Sequence, residues 1–296
     1  MASMKKTLRF TLYAAGALLL LVAVAVAGLL VNSHRLLDRQ LPLTVAAVPY
    51  ASGAAALARG EHLFKSRDCA GCHGDGGEGH VFIDDPIGLK VRSANLTRGE
   101  GSAVRSYTEA DWVRAIRHGV KPDGRPLFIM PSENYNRLTD ADLAALVAYI
   151  RSLPPQDAGP ASFQLPLVVR LAHGAGQIPM AADKIDHGLP PQVPLPDGDA
   201  IKLGLYVAQT CIGCHGAKLQ GGPIPGAPPS WPAAANLVSA NGALARYADA
   251  QAFATVVRSG TRPDGSQVST HMPKNPHFSD AELGALFAYL KASPEP

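Results

Sequence analysis

At 296 residues, with 47% hydrophobic and 17% charged side chains, the chain has material for one to three folded domains and is neither disordered nor fibrous. Its formal charge of +3 is concentrated at one end: residues 1–39 hold five bases against one acid, +4, which leaves −1 for the remainder. A body without basic excess argues against a nucleic-acid partner.

The first element is Thr11–Val31, TLYAAGALLLLVAVAVAGLLV, which is uncharged throughout and preceded by Lys5, Lys6 and Arg9. At about 1.5 Å per residue a run of this length can cross roughly 30 Å of hydrocarbon, and the positive flank stays inside. Ala25-Val26-Ala27 offers a small-residue cleavage site. A secretory signal, however, has an apolar core of only about 7–15 residues. The expectation is therefore an uncleaved single-pass anchor with a cytoplasmic N-terminus, occupying residues 1–35.

A helix is expected over 54–67, leading into RDCAGCHGDGGEGH at 67–80. Four cysteines occur in the chain, Cys69 and Cys72, then Cys211 and Cys214, and a histidine follows each pair, His73 and His215. A zinc knuckle wants two CxxC halves roughly 15–20 residues apart, a thioredoxin-type dithiol wants one pair after a strand, and C-x-x-C-H is the attachment sequence for c-type haem. The two thiols, one helical turn apart, each add to a porphyrin vinyl group, and the histidine turns under the ring to ligate iron. The expectation is two covalently bound haem c groups. Covalent haem attachment in bacteria takes place outside the cytoplasm, in agreement with the topology of the anchor.

Helices are also expected over 108–118 and over the segment following Thr139, where Thr139 and Asp142 stand in capping-box register. Between them lies Met130-Pro131. Residues 155–198 contain eight prolines, a density that resists regular structure, although FQLPLVVRLAH is too apolar for a free tether and is expected to lie on a domain surface.

The chain then repeats itself. Cys211 repeats Cys69, and Met272-Pro273 repeats Met130-Pro131, at one and the same offset. RSGTRPDG at 258–265 repeats RHGVKPDG at 117–124 at an offset one shorter, and FSDAELGALFAYLKASP at 278–294 repeats LTDADLAALVAYIRSLP at 138–154 at an offset two shorter. Co-linear matches define two homologous units. The expected architecture is all-α, with units at 50–154 and 199–296, a connector at 155–198, and further helices over 200–209 and 249–259. The interval from His73 to Met130 equals that from His215 to Met272. That equality, with proline after each methionine, marks Met130 and Met272 as distal iron ligands rather than core side chains. Met180 has no repeat partner and is assigned to linker packing. His118 and His271 are placed at loop or propionate edges.

The order CAGCHG, ANLT, YTEADWVRAIRHGVKPDG, FIMPSENY and LTDADLAALVAYIRSLP resembles the cytochrome c domain of the membrane-bound cytochrome subunits of periplasmic alcohol, aldehyde and gluconate dehydrogenases, over nearly all of 55–154 and 199–294. Those subunits commonly carry three such domains, whereas this chain has two and places its anchor at the N-terminus. The resemblance implies an electron carrier at the periplasmic face of the bacterial inner membrane, with a dehydrogenase subunit, an oxidase or a soluble cytochrome as partner, and no catalytic residues of its own. It also implies that Phe64 and Tyr206 pack near Tyr149 and Tyr289, and that Gly60 has no counterpart in the second unit. A di-haem peroxidase needs an open iron face, and a thiosulfate dehydrogenase a cysteine ligand. No fifth cysteine exists and both units own a Met-Pro. The two-haem subunit of a cbb3-type oxidase shares the N-terminal anchor, but its His-to-Met intervals fit less well.

Overall fold

The structure, a computed structural model, describes residues 2–193, 198–228, 230–238 and 242–293; Pro194 and Pro196 of the connector, and Pro294 after the last helix, lie outside them. Helix α1 spans Ala2–Asp38. Its apolar stretch makes no contact that buries it: Leu18, Leu19, Leu20 and Leu21 are all more than 60% exposed. A row of leucines left uncovered by its own chain suits a helix surrounded by lipid.

The first unit is built from α2 (Ala54–Ser66), the short α3 (Cys69–His73), α4 (Glu109–His118) and α5 (Asp140–Ser152). Threonine starts both longer helices after the haem motif: Thr108 accepts from the Asp111 amide and Asp111 bonds back, and Thr139 accepts from the Asp142 amide. The core is Leu63, Phe64, Trp112, Ile116, Leu143, Leu146 and Val147, where α2 crosses α5. The second unit repeats this with α8 (Ala200–Ala208), α9 (Ile212–His215), α10 (Ala250–Ser259) and α11 (Asp280–Ala292), around Val207, Phe253, Leu283 and Leu286.

Tight crossings need a glycine. In each unit the helix before the haem motif presents one, Gly60 or Gly204, to the terminal helix, where a methyl group would overlap the carbonyl oxygen of Ala145 or Ala285. Gly204 is thus the counterpart that the sequence comparison found lacking. Counting back from the cysteines aligns Tyr206 with Phe64, but Gly204 stands seven residues before Cys211 and Gly60 nine before Cys69. The helical register is set by the glycine, so Tyr206 matches His62 and faces outward. Phe64 does pack on Tyr149, with ring centroids 5.5 Å apart. Tyr206 instead enters the core of the first unit.

The chain is mostly helical, and it adds a small antiparallel sheet that the all-α expectation omits: β1 (Val81–Asp84), β2 (Lys90–Arg92) and β3 (Ser162–Gln164), in that order. Val81-Phe82-Ile83 and Lys90-Val91-Arg92 close around a turn in which Asp85 accepts from the amides of Ile87 and Leu89. The connector supplies the third strand, Val91 opposing Phe163. It also forms α6 (Leu167–Gly174) and α7 (Ala181–Lys184). Its prolines break it into short pieces without preventing regular structure, because Pro166 occupies the position before the first turn of α6, where no amide donor is needed.

The units are joined face to face by related contacts. The Tyr206 hydroxyl donates to Asp142 at 2.6 Å and accepts from the Thr139 amide, while His62 contacts Glu282, the repeat partner of Asp142, at 2.9 Å. Arg59 grips Asp142 with two bonds of 2.8 Å. Arg67 is buried, lies over the rings of Tyr206 and Phe278, and comes within 3.8 Å of Glu282.

Candidate functional site

Each haem motif forms one turn of helix, α3 or the 3₁₀ turn Gln209–Cys211 running into α9, and ends at a glycine with positive φ, Gly74 (φ 82°) or Gly216 (φ 79°). One turn is all that CxxCH requires: it sets the two cysteines on adjacent corners and the histidine just beyond. Asp68 enters α3 at φ 59°, a conformation uncommon outside glycine.

The histidines are held identically. His73 Nδ1 lies 2.8 Å from the Ala94 carbonyl and His215 Nδ1 lies 2.7 Å from the Ala235 carbonyl. A carbonyl only accepts, so Nδ1 carries the proton in each ring and Nε2 keeps its lone pair for a metal. Burial lowers the pKa of both histidines against the opposing carbonyl bond. Both are therefore neutral, the form that ligates iron. Burial also pushes the Cys69 thiol up to about 12 and the Cys72 thiol up to about 11, keeping them protonated. The donor set fits covalently attached haem: two thiols, an oriented imidazole and a fixed partner behind it, twice over.

The carbonyls behind the rings were not singled out from sequence, although the repeated Asn-Leu pair signals them. Asn95 is fully buried; its Oδ1 accepts from the amide and hydroxyl of Thr97, and its Nδ2 donates to the carbonyls of Glu100 and Gln156. The side chain thereby pins the backbone that carries the Ala94 carbonyl. Asn236 holds the equivalent place and accepts from the Val238 amide.

Met130 and Met272 both lie half-buried in the loop joining the last two helices of their unit, α4 to α5 and α10 to α11. Met130 packs on the first core, and Pro131 leads from it into a 3₁₀ turn over Ser132–Asn134. That turn crosses to the other unit, where Asn134 accepts from the Gly213 amide inside the second haem motif at 2.9 Å. Reciprocally, Asn275, after Met272, donates to the Ser66 carbonyl near the first haem motif at 2.8 Å. The two histidines expected at loop or propionate edges have partners within the protein. His118 meets His187 of the connector, 3.1 Å between Nδ1 atoms, and burial with its charged neighbours lowers it to about 4. His271 stacks on Trp231 at 3.7 Å. Met180 is 1% exposed in the connector, as its lack of a repeat partner predicts.

Comparison with known proteins agrees with this geometry. Residues 55–150 match the family described as cytochrome c oxidase, cbb3-type, subunit III, and residues 204–294 match cytochrome c. Over most of its length the chain is 29% identical to the fructose dehydrogenase cytochrome subunit of Gluconobacter japonicus, covering 80% of this chain and 52% of that protein. It is 28% identical to the cytochrome c subunit of the quinone alcohol dehydrogenase of Gluconacetobacter polyoxogenes, with coverages of 81% and 56%. It is 25% identical to a diheme cytochrome c-type protein of Cereibacter sphaeroides, with coverages of 80% and 85%. The chain thus spans about half the length of the two dehydrogenase subunits.

Proposed function

We propose that this chain, a diheme cytochrome c homologous to dehydrogenase cytochrome subunits, relays single electrons from a dehydrogenase subunit or quinol-side donor to an oxidase or soluble cytochrome. In this reading α1 crosses the bacterial inner membrane once, its N-terminus is cytoplasmic, and the domains at 50–154 and 199–296 stand in the periplasm, joined by the connector at 155–198. The observation that carries the proposal is the repeated histidine geometry, with Nδ1 tied to a backbone carbonyl and Nε2 free in two units packed face to face.

Haem supplies one-electron iron chemistry when bound. Cys69 and Cys72, and Cys211 and Cys214, would hold it covalently, and His73 and His215 with Met130 and Met272 would ligate its iron. His/Met ligation would favour a high potential suited to passing electrons toward an oxidase. The Ala94 and Ala235 carbonyls fix the ring planes and keep the imidazoles electron-rich.

Detergent extraction of the membrane fraction, followed by pyridine haemochrome assay and identification of co-purifying proteins, tests the assignment. Two haems that survive denaturation at full-length mass, retained after an alkaline carbonate wash and accompanied by a dehydrogenase, are expected. One haem, haem lost on denaturation, or recovery in the soluble fraction would contradict it.

A further inference from the structure

The connector does not hang free between the units. Its helix α6 packs along the outer end of α1: the Asn32 side chain donates to the Gly174 carbonyl at 2.7 Å, Ser33 Oγ meets His173 Nδ1 at 3.0 Å, and Gly174 lies against the Leu29 backbone, closer than any side chain allows. Ser33 and His173 are both buried, and the Phe128 ring covers the imidazole edge-on.

Helix α6 half-covers Val169 and Leu171 but leaves its first two apolar side chains in the open and buries a histidine. Its covered face holds the hydrogen-bonded His173, whereas its open face carries Leu167 at 58% and Val168 at 59% exposure, beside Phe163 at 46%. A soluble surface helix turns its leucines inward and its polar groups to water. The helix contains no acid, and its one charged residue, Arg170, is exposed.

Height decides what meets that face. The uncharged run of α1 ends at Val31, and Gly174 sits beside Leu29, so the C-terminal end of α6 stands level with the last turn of the run. Exposed apolar side chains with a basic residue among them, on a helix whose C-terminal end is packed at that level, suit the headgroup layer of a bilayer.

We propose that α6 and the turn after it, residues 175–177, are seated in the outer interfacial layer of the membrane that α1 crosses, with Phe163, Leu167 and Val168 against lipid. The proposal rests on the reading of α1 as an anchor. It makes the connector a second attachment, one that fixes the tilt of the first unit, which shares β3 and the Phe128–Phe163 stack with it.

Photo-crosslinking of the full haem-loaded chain, in nanodiscs of phosphatidylcholine and phosphatidylglycerol bearing a diazirine near the headgroup, tests this by peptide mapping. Adducts are expected in α1 and in 163–177, and not in the distant 262–267 turn. A second chain, carrying Leu167→Asp and Val168→Asp, should keep its α1 adducts while those at 163–177 fall several-fold. Adducts in α1 without any at 163–177, or adducts there that persist in the double variant, overturn the proposal. Absence of adducts from α1 itself would refute the anchor instead.

Discussion

Asn95 sits wholly inside the first unit with every polar atom of its amide engaged, and the peptide it fixes is the one whose carbonyl aims His73. Asn95→Ala removes the acceptor of the buried Thr97 amide, and a buried donor left without its partner costs about 1–3 kcal/mol. The melting temperature of the first unit, followed by haem absorbance, should fall, and the iron–imidazole signature of one haem alone should change. The methionine assignments give a second prediction at this scale. Met130→Ala or Met272→Ala should open one iron face, so that carbon monoxide binds one haem per chain and the potential of that haem drops in a redox titration. Both sites should respond alike, because the histidine-to-methionine interval is the same in the two units. Unchanged spectra in either variant would remove that methionine from the ligand set.

Among the elements, the crossing of the helix before each haem motif over the terminal helix is the most demanding. Gly204→Ala puts a methyl group into the Ala285 carbonyl and the Tyr289 side chain, and overpacking of this kind typically costs about 1–3 kcal/mol. The variant should load haem poorly in the second unit and normally in the first, as counted by haem staining of the two halves after proteolysis. This crossing also shows where the sequence is legible. Helix type and position could be read from periodicity and caps, because Thr139 and Ser279 stand at N-cap positions and apolar spacing does the rest. The register of α8 could not. It depends on a contact between Gly204 and Ala285, far apart in the chain, and the landmark nearer in sequence, the cysteine pair, stands two residues closer to the crossing glycine in the second unit than in the first. The three short strands escaped notice for a similar reason: β3 comes from the connector and forms only because the first unit offers an edge to it. The two CxxCH motifs and the repeat were legible from local spacing, and the structure gives the histidine of each motif the same kind of backbone-carbonyl partner.

For the molecule as a whole, the join between units carries the charged groups that must not be separated. Asp142, which would otherwise complete the cap of α5, turns its carboxylate to Arg59 and Tyr206. Tyr206→Phe should cost about 1–3 kcal/mol, as expected for a buried bond to a charged partner, and should speed protease cutting of the connector while each unit keeps its haem. Glu282 adds a pH dependence. Burial raises its pKa, but His62, Arg67 and the Ser279 amide outweigh that and hold it down to about 2 from an ordinary 4.5. A depressed carboxylate stabilises the folded state fully above its unfolded pKa, so the join should weaken as pH falls from about 4.5 toward 2, and Glu282→Gln should flatten that decline in thermal melts.

The reciprocal reach of Asn134 and Asn275 into the opposite haem motif has a kinetic consequence. Sliding one unit past the other would break both of these partly buried bonds, which favours one fixed separation of the two haem sites. Exchange between those sites is therefore a first-order event: diluting the protein or thickening the medium slows every encounter with a donor or acceptor, and leaves the internal step at the same rate.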